Sequence, residues 1–355
     1  MINYGDDKKS AVQAKYDAQK IAWGPIMFQA ARSLRTLGIF DQLHNERKTG
    51  ITIESCAKKC GLSVYGVKVL LEAAISMEMV YVKENKFFLS KTGWFFINDP
   101  LTIANTDFVH DVNYEGFFKL DESIKTGKPE GLKVFGEWPT VYEALSQLPS
   151  QVQDSWFKFD HYYSDEAFPE VLPMLFESSP KKILDVGGNT GKFSMSAARF
   201  NSNVEMTILD LPGQLAVAEK NIKTAGLSNQ IQLVPVNLLD HSVAYPTDYD
   251  IVWMSQFLDC FSKEDMTELF KKAAKAIKPD GAIYVLETLW DRQKYPAATY
   301  SLHATSLYFT CLANGCSQMY HTDDMKEVIE AAGLVLDEMI DNIGIGHTML
   351  KCKLK

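Results

Sequence analysis

The spacing of apolar and polar positions divides the chain into two parts. Up to about residue 175, apolar residues recur at the three- and four-residue intervals of amphipathic helices. Beyond residue 180, short β-rich runs alternate with helical stretches, which is the pattern of a parallel sheet with crossover helices. The sequence therefore predicts an α/β domain preceded by a mainly helical one.

Within the first part, residues 51–97 predict a winged helix. Thr52 can cap a short helix, and a second helix is predicted from Ser63 to about Met77. Two short strands then meet at Glu84–Asn85, which gives a small hairpin. Because this architecture often binds DNA, the charge of its second helix decides between DNA binding and packing.

The second helix argues against DNA recognition. It carries Lys68 as its only cation and also contains Glu72, whereas a recognition helix offers several Arg, Lys, Asn or Gln side chains. The net charge of −9 is spread along the chain, and binding to phosphates needs a basic surface. We therefore expect no nucleic-acid partner and interpret the winged helix as a packing or dimerisation module.

Strands and helices alternate through the second part of the chain. Strands are predicted at 182–188, 205–211, 231–237, 249–257 and 281–289. Helices are predicted at about 191–200, 213–225, 262–277 and 322–332. Two further strand-like runs flank Gly344 and Gly346 with no helix between them, so they should pair antiparallel. The expected sheet is mostly parallel with an antiparallel edge strand.

Other global features concern metals and membranes. The six cysteines show neither a CxxC pair nor paired His/Cys spacing, so we expect reduced, mostly buried thiols and no metal site. No segment reaches the roughly 18–20 uninterrupted apolar residues of a membrane span. The first residues do not resemble a signal peptide. These features predict a cytoplasmic protein.

The strongest local signal is ILDVGGNTGKFS at 183–194. A buried strand delivers Asp185 and then leads into a helix through a turn that contains Gly187, Gly188 and Gly191. Glycines let a backbone approach a ligand closely, and ligands bind at the carboxyl ends of strands in open α/β sheets. Asp210 ends the next predicted strand, where its carboxylate can accept hydrogen bonds from ribose hydroxyls.

Asp210 would also suit the ribose of NAD, but two features of this segment argue against a dinucleotide. The loop reads GGNTG rather than GxGxxG, and the carboxylate of Asp185 would repel a diphosphate. It suits a ligand that carries an ammonium and a sulfonium. The alternative interpretation is structural, with Asp185 capping the following loop and Asp210 serving as a turn residue before Pro212. The strand–loop–helix context favours the cofactor role.

Several segments together resemble the plant- and bacterial-type small-molecule O-methyltransferases. They are LRTLGIFDQL (34–43), the winged helix, LDVGGNTG (184–191), LDLPG (209–213), YDIVWMSQFLDCFSKED (249–265) and PDGAIYVLET (279–288). The resemblance implies a Rossmann-like class I methyltransferase domain with a seven-stranded sheet, preceded by a winged-helix dimerisation domain. It also implies a homodimer, S-adenosylmethionine as methyl donor, S-adenosylhomocysteine as product and a small, hydroxylated aromatic acceptor.

The resemblance also implies domain bounds and a set of cofactor-binding residues. The bounds are 1–105 for the dimerisation domain, 106–175 for helices that line the acceptor pocket, and 176–355 for the catalytic domain. The residues expected to hold the cofactor are Asp185, Gly187, Gly188, Gly191, Asp210, Leu211, Asn237, Leu238 and Ser255.

Two segments depart from the family pattern on the cofactor side. Asn189 stands where the family has Gly, but Asn tolerates left-handed conformations, so the loop can keep its shape. Asn237 and Leu238 stand where the family has Gly-Asp followed by an apolar residue. An Asn side chain can still hydrogen-bond the adenine amino group, though without charge.

The main departure concerns the catalytic base. Where the family reads His-Asp-Trp, this chain reads Asp259-Cys260-Phe261, so Asp259 replaces the expected His. Glu287 matches a family acid that orients that His, and two carboxylates facing one pocket could raise each other's pKa. Three interpretations of Asp259 stay open: a general base, a group that orients the acceptor hydroxyl, and a helix-start cap without a chemical role.

Histidines elsewhere could supply the missing imidazole. His303 is the first choice, because it follows the fifth strand in the segment that contacts substrate in the family. His321 precedes a helix start and is expected to cap or pack, and His161 lies in an aromatic stretch. The residues considered as walls of the acceptor pocket are Trp253, Phe257, Trp290, Tyr308 and Phe309, although core packing is the better interpretation of Trp253.

The predicted reaction is transfer of a methyl group to a phenolic oxygen. The missing His motivates an alternative, methylation of the ring carbon ortho to a phenol. A winged-helix regulator that retains cofactor binding as a sensor, and a family member with different chemistry, are further alternatives. The absence of a basic recognition helix argues against the regulator.

Overall fold

The computed structural model describes residues 6–164 and 167–355. The described residues form two compact units, one ending at His110 and the other running from Asp111 to Lys355. The helices between Asp111 and the sheet thus belong to the same unit as the sheet. The three-part division at residues 105 and 175 stays a prediction.

The first unit is mainly helical and contains one two-stranded sheet. Its elements are α1 (Ala11–Ala22), α2 (Gly24–Thr36), α3 (Ile39–Asn45), α4 (Ile53–Cys60), α5 (Val64–Ser76), β1 (Val80–Lys83), β2 (Lys86–Leu89), α6 (Lys91–Asn98) and α7 (Pro100–Phe108). Leu34, Phe40 and Leu71 are fully buried in its core. Leu71 lies on the face of α5 that also buries Val67 and Ala74, the spacing expected of an amphipathic helix.

The winged helix predicted from the sequence is confirmed. Thr52 caps α4 by accepting a hydrogen bond from the N–H of Ser55 over 3.3 Å. Ser63 caps α5 by accepting from the N–H of Gly66 over 3.0 Å. The strands β1 and β2 pair antiparallel, and the two-residue turn between them has φ of 51° at Glu84 and 56° at Asn85. Positive φ at both turn positions matches the right-handed twist of a hairpin.

The second unit begins with helices and continues into the large sheet. Its helices are α8 (Leu120–Thr126), α9 (Val141–Ala144), α10 (Ser150–Ser164), α11 (Phe168–Phe176), α12 (Lys192–Phe200), α13 (Pro212–Thr224), α14 (Lys263–Ala276), α15 (Pro296–Tyr308) and α16 (Thr322–Ala331). Its strands are β3 (Lys182–Val186), β4 (Glu205–Asp210), β5 (Ile231–Pro235), β6 (Tyr249–Ser255), β7 (Ile277–Glu287), β8 (Leu334–Ile343) and β9 (His347–Leu354). Within this part of the chain, the predicted strands and helices are all present.

The sheet is mostly parallel, with the strand order β5-β4-β3-β6-β7-β9-β8. The antiparallel strand is β9, which pairs with both β7 and β8. The last two strands therefore pair antiparallel at the edge of the sheet, as predicted, with β8 as the outermost strand. The turn through Gly344 and Gly346, with φ of 53° and 130°, folds β9 back into the gap between its neighbours. β9 thereby hydrogen-bonds on both of its sides.

One predicted boundary also differs. The sequence places a helix stop at Lys278–Gly281 and a strand from residue 281, whereas α14 ends at Ala276 and β7 begins at Ile277. Ile277 pairs with Tyr249 at the start of β6. The ammonium of Lys278 in β7 lies 2.7 Å from the carboxylate of Asp250 in β6. Because of these contacts with β6, the chain passes from α14 into β7 without a loop between them.

Alternate residues of the central strands pack on opposite faces of the sheet. In β6, Val252 and Met254 belong to the core shared with α14 and α16. Ile251 and Trp253 belong to the core shared with α11, α12 and α13. Helices thus cover both faces, as in doubly wound sheets. In the described part of the chain, no helix has the length and apolarity required to cross a membrane.

Candidate active site

The strand order places a switch point between β3 and β6. From β3 the chain winds towards β4 and β5, whereas β6 and β7 lie on the other side of β3. In open α/β sheets the crevice at the carboxyl ends of the strands at such a point binds ligands. The glycine-rich segment 187–191 leaves the end of β3 at this crevice and enters α12.

The backbone of this segment needs its glycines. Gly187 has a φ of 75°, and a Cβ there would lie 2.3 Å from the Phe257 ring. A Cβ on Gly188 would lie 2.8 Å from the carboxylate of Asp185. Asn189 has a φ of 47°, which is the left-handed conformation that Asn tolerates better than other side chains. The loop therefore keeps its shape despite the Asn.

Asp185 lies at the end of β3 and is buried. Its Oδ2 accepts a hydrogen bond from the Ser194 hydroxyl over 2.6 Å. Burial raises the pKa of Asp185 to about 7, although the bond from Ser194 favours the ionised form. The carboxylate is therefore poised to be fixed in its ionised form by a cationic ligand group.

Asp210 ends β4 and ties this strand to the glycine-rich loop. Its Oδ2 accepts from the N–H of Asn189 over 2.8 Å, and its Oδ1 accepts from the N–H of Leu211 over 2.7 Å. Burial raises the pKa of Asp210, and these two bonds oppose the shift. Each oxygen retains acceptor capacity, so Asp210 can hold the loop and accept from ligand hydroxyls at the same time.

The other predicted cofactor residues lie at the ends of neighbouring strands. Ser255 ends β6 and pairs in register with Leu286 of β7. Leu211, after β4, is exposed, and Leu238, after β5, is buried. Asn237 is exposed, and its Oδ1 accepts from the N–H of Leu239 over 3.1 Å. The assignment of these residues to a cofactor remains a prediction.

The donor set fits a nucleoside that carries a cationic tail. The glycine-rich loop provides a cradle whose shape a Cβ at Gly187 or Gly188 would disrupt. The carboxyl groups of Asp185 and Asp210 suit an ammonium and ribose hydroxyls, and that of Asp185, directly before the loop, would repel a diphosphate. The geometry thus agrees with the ligand class that the loop composition favours.

Asp259 lies in a short 3-10 turn, Leu258–Cys260, between β6 and α14. It is half-buried, and desolvation raises its pKa to about 6. The cap of α14 is Ser262, whose hydroxyl oxygen accepts from the N–H of Asp265 over 3.1 Å. Asp259 is therefore not the helix cap, and the two chemical interpretations of its role stay open.

Glu287 holds this turn from the end of β7. The side chain is buried, and its Oε1 accepts from the N–H of Phe257 over 2.9 Å and from the N–H of Leu258 over 2.8 Å. Burial and the neighbouring charge of Asp259 raise the pKa of Glu287 well above its ordinary range. The two carboxyl groups are thus close enough to interact electrostatically.

Two phenols and a thiol share the environment of Asp259. Tyr308 on α15 is buried, and its phenol oxygen accepts from the indole N–H of Trp156 over 2.7 Å. The phenol oxygen of Tyr142 on α9 is also buried. Burial raises the pKa of both phenols, and the charges of Cys260 and Asp259 add to the shift. The Cys260 thiol donates to Oδ1 of Asp259 over 3.5 Å.

The structure places His303 on α15 with its side chain exposed. Its ring centroid lies 4.8 Å from that of Trp290, and the ring of His321 lies 4.8 Å from Trp290 as well. His321 caps α16, with Nδ1 accepting from the N–H of Asp323 over 3.0 Å. The catalytic role of His303 stays a prediction, and His161 lies outside the described side chains.

The aromatic residues considered as pocket walls occupy different environments. Trp253 is fully buried and stacks on Phe193 with ring centroids 4.4 Å apart, so it belongs to the core. Phe257 covers Gly187 and packs edge-on against Phe261, with ring centroids 4.6 Å apart. Phe309 is buried beside Tyr308, and Trp290 is half-buried.

Sequence reasoning missed several residues of this site. Ser194 donates to Asp185 from the first turn of α12, and its signal was the helix start nine positions after Asp185 in ILDVGGNTGKFS. Lys272 donates to the backbone that follows Leu238. Asn314 donates to the carbonyl of Cys260. The last two contacts join distant segments and carry no local signal.

The sheet order, the single antiparallel strand and the glycine-rich loop with its carboxylates define the class I methyltransferase fold. The Dimerisation2-like domain family matches residues 15–87, and the O-methyltransferase domain family matches residues 119–335. The second match covers more than half of the chain. The chain therefore belongs to the O-methyltransferase domain family. The predictions of a methyltransferase and of S-adenosylmethionine as its cofactor are confirmed.

Individual relatives agree over most of the chain. An L-tyrosine C(3)-methyltransferase from Streptomyces lavendulae is 26% identical over 333 residues, with 90% of this chain and 88% of that protein covered. The apo structure of the S-adenosylmethionine-dependent methyltransferase SibL superposes with a TM-score of 0.72 at 24% identity, covering 94% of this chain and 98% of SibL.

A third comparison concerns a structure with ligands. An O-methyltransferase from neocarzinostatin biosynthesis, in complex with S-adenosylmethionine and 2-hydroxy-5-methyl naphthoic acid, superposes with a TM-score of 0.66 at 17% identity. The alignment covers 92% of this chain and 96% of that protein. At this identity the similarity shows the shared fold.

Proposed function

We propose that this methyltransferase acts on a small aromatic acceptor whose hydroxyl is bound at Asp259. The observation that carries the proposal is a half-buried carboxyl with a pKa of about 6, held in a turn at the carboxyl end of β6. A carboxyl of this pKa is ionised at neutral pH and is a stronger base than an ordinary Asp.

The cofactor residues are proposed one by one. Asp185 faces the ammonium of S-adenosylmethionine, and the 187–191 backbone passes beside its methionine part. Asp210 accepts from the ribose hydroxyls, while Asn237 and Leu238 contact the adenine. This assignment is supported by the left-handed glycine positions and by the two buried carboxyl groups at the ends of β3 and β4.

The proposed acceptor is an aromatic ring with a hydroxyl. The support comes from the buried phenols of Tyr142 and Tyr308, on which the charge of Asp259 acts, and from the indole of Trp156, which donates to the Tyr308 phenol. Known relatives act on such rings: one methylates L-tyrosine, and another structure contains a naphthoic acid. Flat, apolar walls with a few polar groups are typical of sites for small aromatic ligands.

In the proposed reaction Asp259 accepts the proton of the acceptor hydroxyl, and the resulting phenolate oxygen is the nucleophile. S-adenosylmethionine supplies an activated methyl group when bound. Glu287 keeps the turn in place through the N–H groups of Phe257 and Leu258. If Asp259 only orients the hydroxyl, alignment with the methyl group provides most of the rate enhancement.

A second candidate is methylation of the ring carbon ortho to the hydroxyl. It is favoured by the L-tyrosine C(3)-methyltransferase, which aligns with 90% of this chain. Deprotonation of the phenol by Asp259 would place negative charge on the ortho carbon as well as on the oxygen. The carbon would attack the methyl group and displace S-adenosylhomocysteine; the ring proton would then pass to water, and Asp259 would return its proton to the oxygen. The two candidates share the site and differ in the methylated atom.

We further propose that the chain forms a homodimer through its first unit. The match of residues 15–87 to a Dimerisation2-like domain supports this. Helix α1 buries none of its own residues, and Val12, Ile21 and Trp23 are exposed along and after it. Apolar side chains on such a surface are typical of an interface.

The cofactor assignment is tested by calorimetric titration of S-adenosylhomocysteine. The wild type should bind it, and Asp210→Ala should weaken binding at least about tenfold, because the bonds from the N–H groups of Asn189 and Leu211 and the ribose acceptor are lost. Asp323→Ala, an exposed carboxylate on α16, is the matched control and should bind as the wild type does. Unchanged affinity of Asp210→Ala would contradict the assignment.

The acceptor assignment is tested with a panel of phenols and methyl-labelled S-adenosylmethionine. L-tyrosine, catechol and a hydroxynaphthoic acid are suitable members. An aryl methyl ether in the product NMR spectrum supports oxygen transfer, and a methyl group on the ring beside a free hydroxyl supports the second candidate. Asp259→Asn should lose activity on every acceptor, and retained activity would remove Asp259 from the proposal.

A further inference from the structure

The segment that follows α15 contacts the Asp259 turn, to which Glu287 is also hydrogen-bonded. The chain widens into a π-helical turn at Phe309–Ala313. The N–H groups of Asn314 and Gly315 then both donate to the Phe309 carbonyl over 3.0 Å. Such π turns often occur at functional sites. This one ends at Asn314.

The side chain of Asn314 makes hydrogen bonds in two directions. Its Oδ1 accepts from the N–H of Cys316 over 3.0 Å and from the N–H of Ser317 over 3.1 Å, which closes a local turn. Its Nδ2 donates to the carbonyl of Cys260 over 2.8 Å and to the Ser317 hydroxyl over 2.8 Å. The amide oxygen therefore stabilises the loop that contains Asn314, and the amide nitrogen binds the Leu258–Cys260 turn that contains Asp259.

Side chains form hydrogen bonds with the backbone on both sides of Asp259. Before it, the carboxyl group of Glu287 accepts from the N–H groups of residues 257 and 258. After it, Asn314 donates to the Cys260 carbonyl, and the Tyr320 hydroxyl donates to the Phe261 carbonyl over 2.5 Å. Side chains from three separate segments thus satisfy backbone groups on either side of one carboxyl-bearing residue.

We propose that Asn314 is a positioning residue for Asp259, because its amide fixes the Cys260 carbonyl and with it the turn that carries the carboxyl group. The inference rests on the proposed function of Asp259 at the acceptor. A misplacement of about 1 Å can cost about a hundredfold in rate, so the hydrogen bond matters more for turnover than for stability.

Two substitutions remove the amide donor while they keep an acceptor for the local turn. Asn314→Ser has a hydroxyl that can still accept from residues 316 and 317 but cannot reach Cys260. Asn314→Asp keeps Oδ1 and loses Nδ2. The control is Ser317→Ala, which removes the other acceptor of Nδ2 and leaves the bond to the Cys260 carbonyl. Calorimetric binding of S-adenosylhomocysteine reports whether each variant is folded.

The first readout is the reactivity of the Cys260 thiol towards iodoacetamide, followed by peptide mass spectrometry. Cys260 is half-buried in the turn, and half-buried Cys60 of the first unit is the internal reference. Both Asn314 variants should alkylate several-fold faster at Cys260 and at the wild-type rate at Cys60. This readout needs no acceptor.

The second readout uses the panel phenol with the highest turnover. Both variants should lose about tenfold or more in kcat, with unchanged affinity for S-adenosylhomocysteine. The pH midpoint of Asn314→Ser should fall by about one unit, because a looser turn exposes Asp259 to water and its pKa returns towards the ordinary value. The titratable groups that face Asp259 are Glu287, Cys260, Tyr142, Tyr308 and Tyr320.

The outcomes separate this inference from the proposed function. Wild-type alkylation and turnover in both Asn314 variants, with Asp259→Asn inactive, would overturn the inference and leave the proposed function intact. An active Asp259→Asn would remove the proposed function, while faster alkylation of Cys260 would still support Asn314 as the residue that fixes the turn. Equal effects in Ser317→Ala would also overturn the inference, since that variant keeps the bond to Cys260.

Discussion

The Ser194 hydroxyl donates a hydrogen bond to the carboxyl group of Asp185 over 2.6 Å, joining the first turn of α12 to the end of β3. The bond opposes the effect of burial, which still raises the pKa of Asp185 from 3.8 to about 7. When folding raises the pKa of a carboxyl group, the protein is more stable with that group protonated than with it ionised. Its contribution to stability is full below about pH 4 and is lost as the pH rises through 7.

Replacement of Asp185 by Asn should therefore stabilise the protein at neutral and alkaline pH. The gain in Tm should grow between pH 4 and pH 7 and stay constant above, with a free-energy difference on the order of a few kcal/mol. Thermal unfolding monitored by circular dichroism across this range measures it. Affinity for S-adenosylhomocysteine should fall in the same variant, because the charge that faces the ammonium is gone.

Ser194→Ala is the companion of that variant. It leaves the buried carboxyl without its hydroxyl donor, so its Tm at pH 8 should be lower than that of the wild type. A Tm for Asp185→Asn that is equal to or below the wild-type value at pH 8 would contradict the raised pKa of Asp185.

Gly187→Ala should disrupt the cofactor site. The added Cβ would lie 2.3 Å from the Phe257 ring, and the φ of 75° is strained for any side chain with a Cβ. We expect a loss of about 1–3 kcal/mol in the free energy of unfolding and loss of S-adenosylhomocysteine binding. Chemical denaturation and calorimetry measure the two effects.

Gly213→Ala provides the matched control for this substitution. Gly213 lies in the first turn of α13, and a Cβ there would meet nothing within 4 Å. Ala should keep or slightly increase stability, because it has the higher helix propensity. A similar loss in both variants would mean that the Gly187 effect is not caused by the contact with Phe257.

The sequence predicts the elements that have strong local patterns. The strand at Asp185, the loop to Gly191 and the helix after it are consecutive in the chain, so buried-strand periodicity and glycine placement indicate all three. The winged-helix hairpin at Glu84–Asn85 is equally local. The pairing of Asp259 with Glu287 followed from the resemblance, since those residues come from the ends of separate strands.

The parts that depend on tertiary contacts could not be predicted. The amide of Asn314 and the carbonyl of Cys260 are 54 positions apart, and an Asn in a loop gives no sign of its partner. β9 lies between β7 and β8. The pattern of apolar and polar residues in the two last strands is compatible with the order β7-β9-β8 and with β7-β8-β9, so it does not predict which strand pairs with β7. The early start of β7 at Ile277 likewise follows from pairing with Tyr249.

Lys272 should affect cofactor affinity rather than the chemical step. It is buried on α14, donates to the Asp240 carbonyl over 2.6 Å, and lies 5.5 Å from the ring of Tyr245. These contacts hold the backbone that follows Leu238, at the proposed adenine end. Lys272→Met should weaken S-adenosylhomocysteine binding several-fold and raise KM for the donor, with kcat nearly unchanged.

The neighbouring Lys271 supplies the control for this prediction. Its ammonium is exposed and lies 2.7 Å from the carboxylate of Glu268, an ion pair that contributes little at a surface. Lys271→Met should bind S-adenosylhomocysteine as the wild type does. If Lys272→Met lowers kcat and leaves affinity intact, the 238–240 segment is not part of the adenine site.

The pH dependence of the reaction should report the ionisation of Asp259. Because its pKa is about 6, kcat/KM should rise with pH and level off above pH 7. An ordinary His has a similar pKa, so the variants decide which group is responsible. Asp259→Asn should abolish the rising limb together with the activity, whereas His303→Ala should retain both. The opposite result would assign the base to His303.

Variants of Glu287 also test whether the pH dependence reports the ionisation of Asp259. Burial and the Asp259 charge raise the pKa of Glu287 well above its ordinary range, which favours a neutral Glu287 beside an ionised Asp259. Glu287→Gln preserves an oxygen that accepts from the N–H groups of Phe257 and Leu258 and should leave the midpoint near pH 6. Glu287→Ala removes that acceptor and should lower kcat through a loosened turn. A downward shift of the midpoint in Glu287→Gln would mean that Glu287 is ionised in the working enzyme and repels the charge on Asp259.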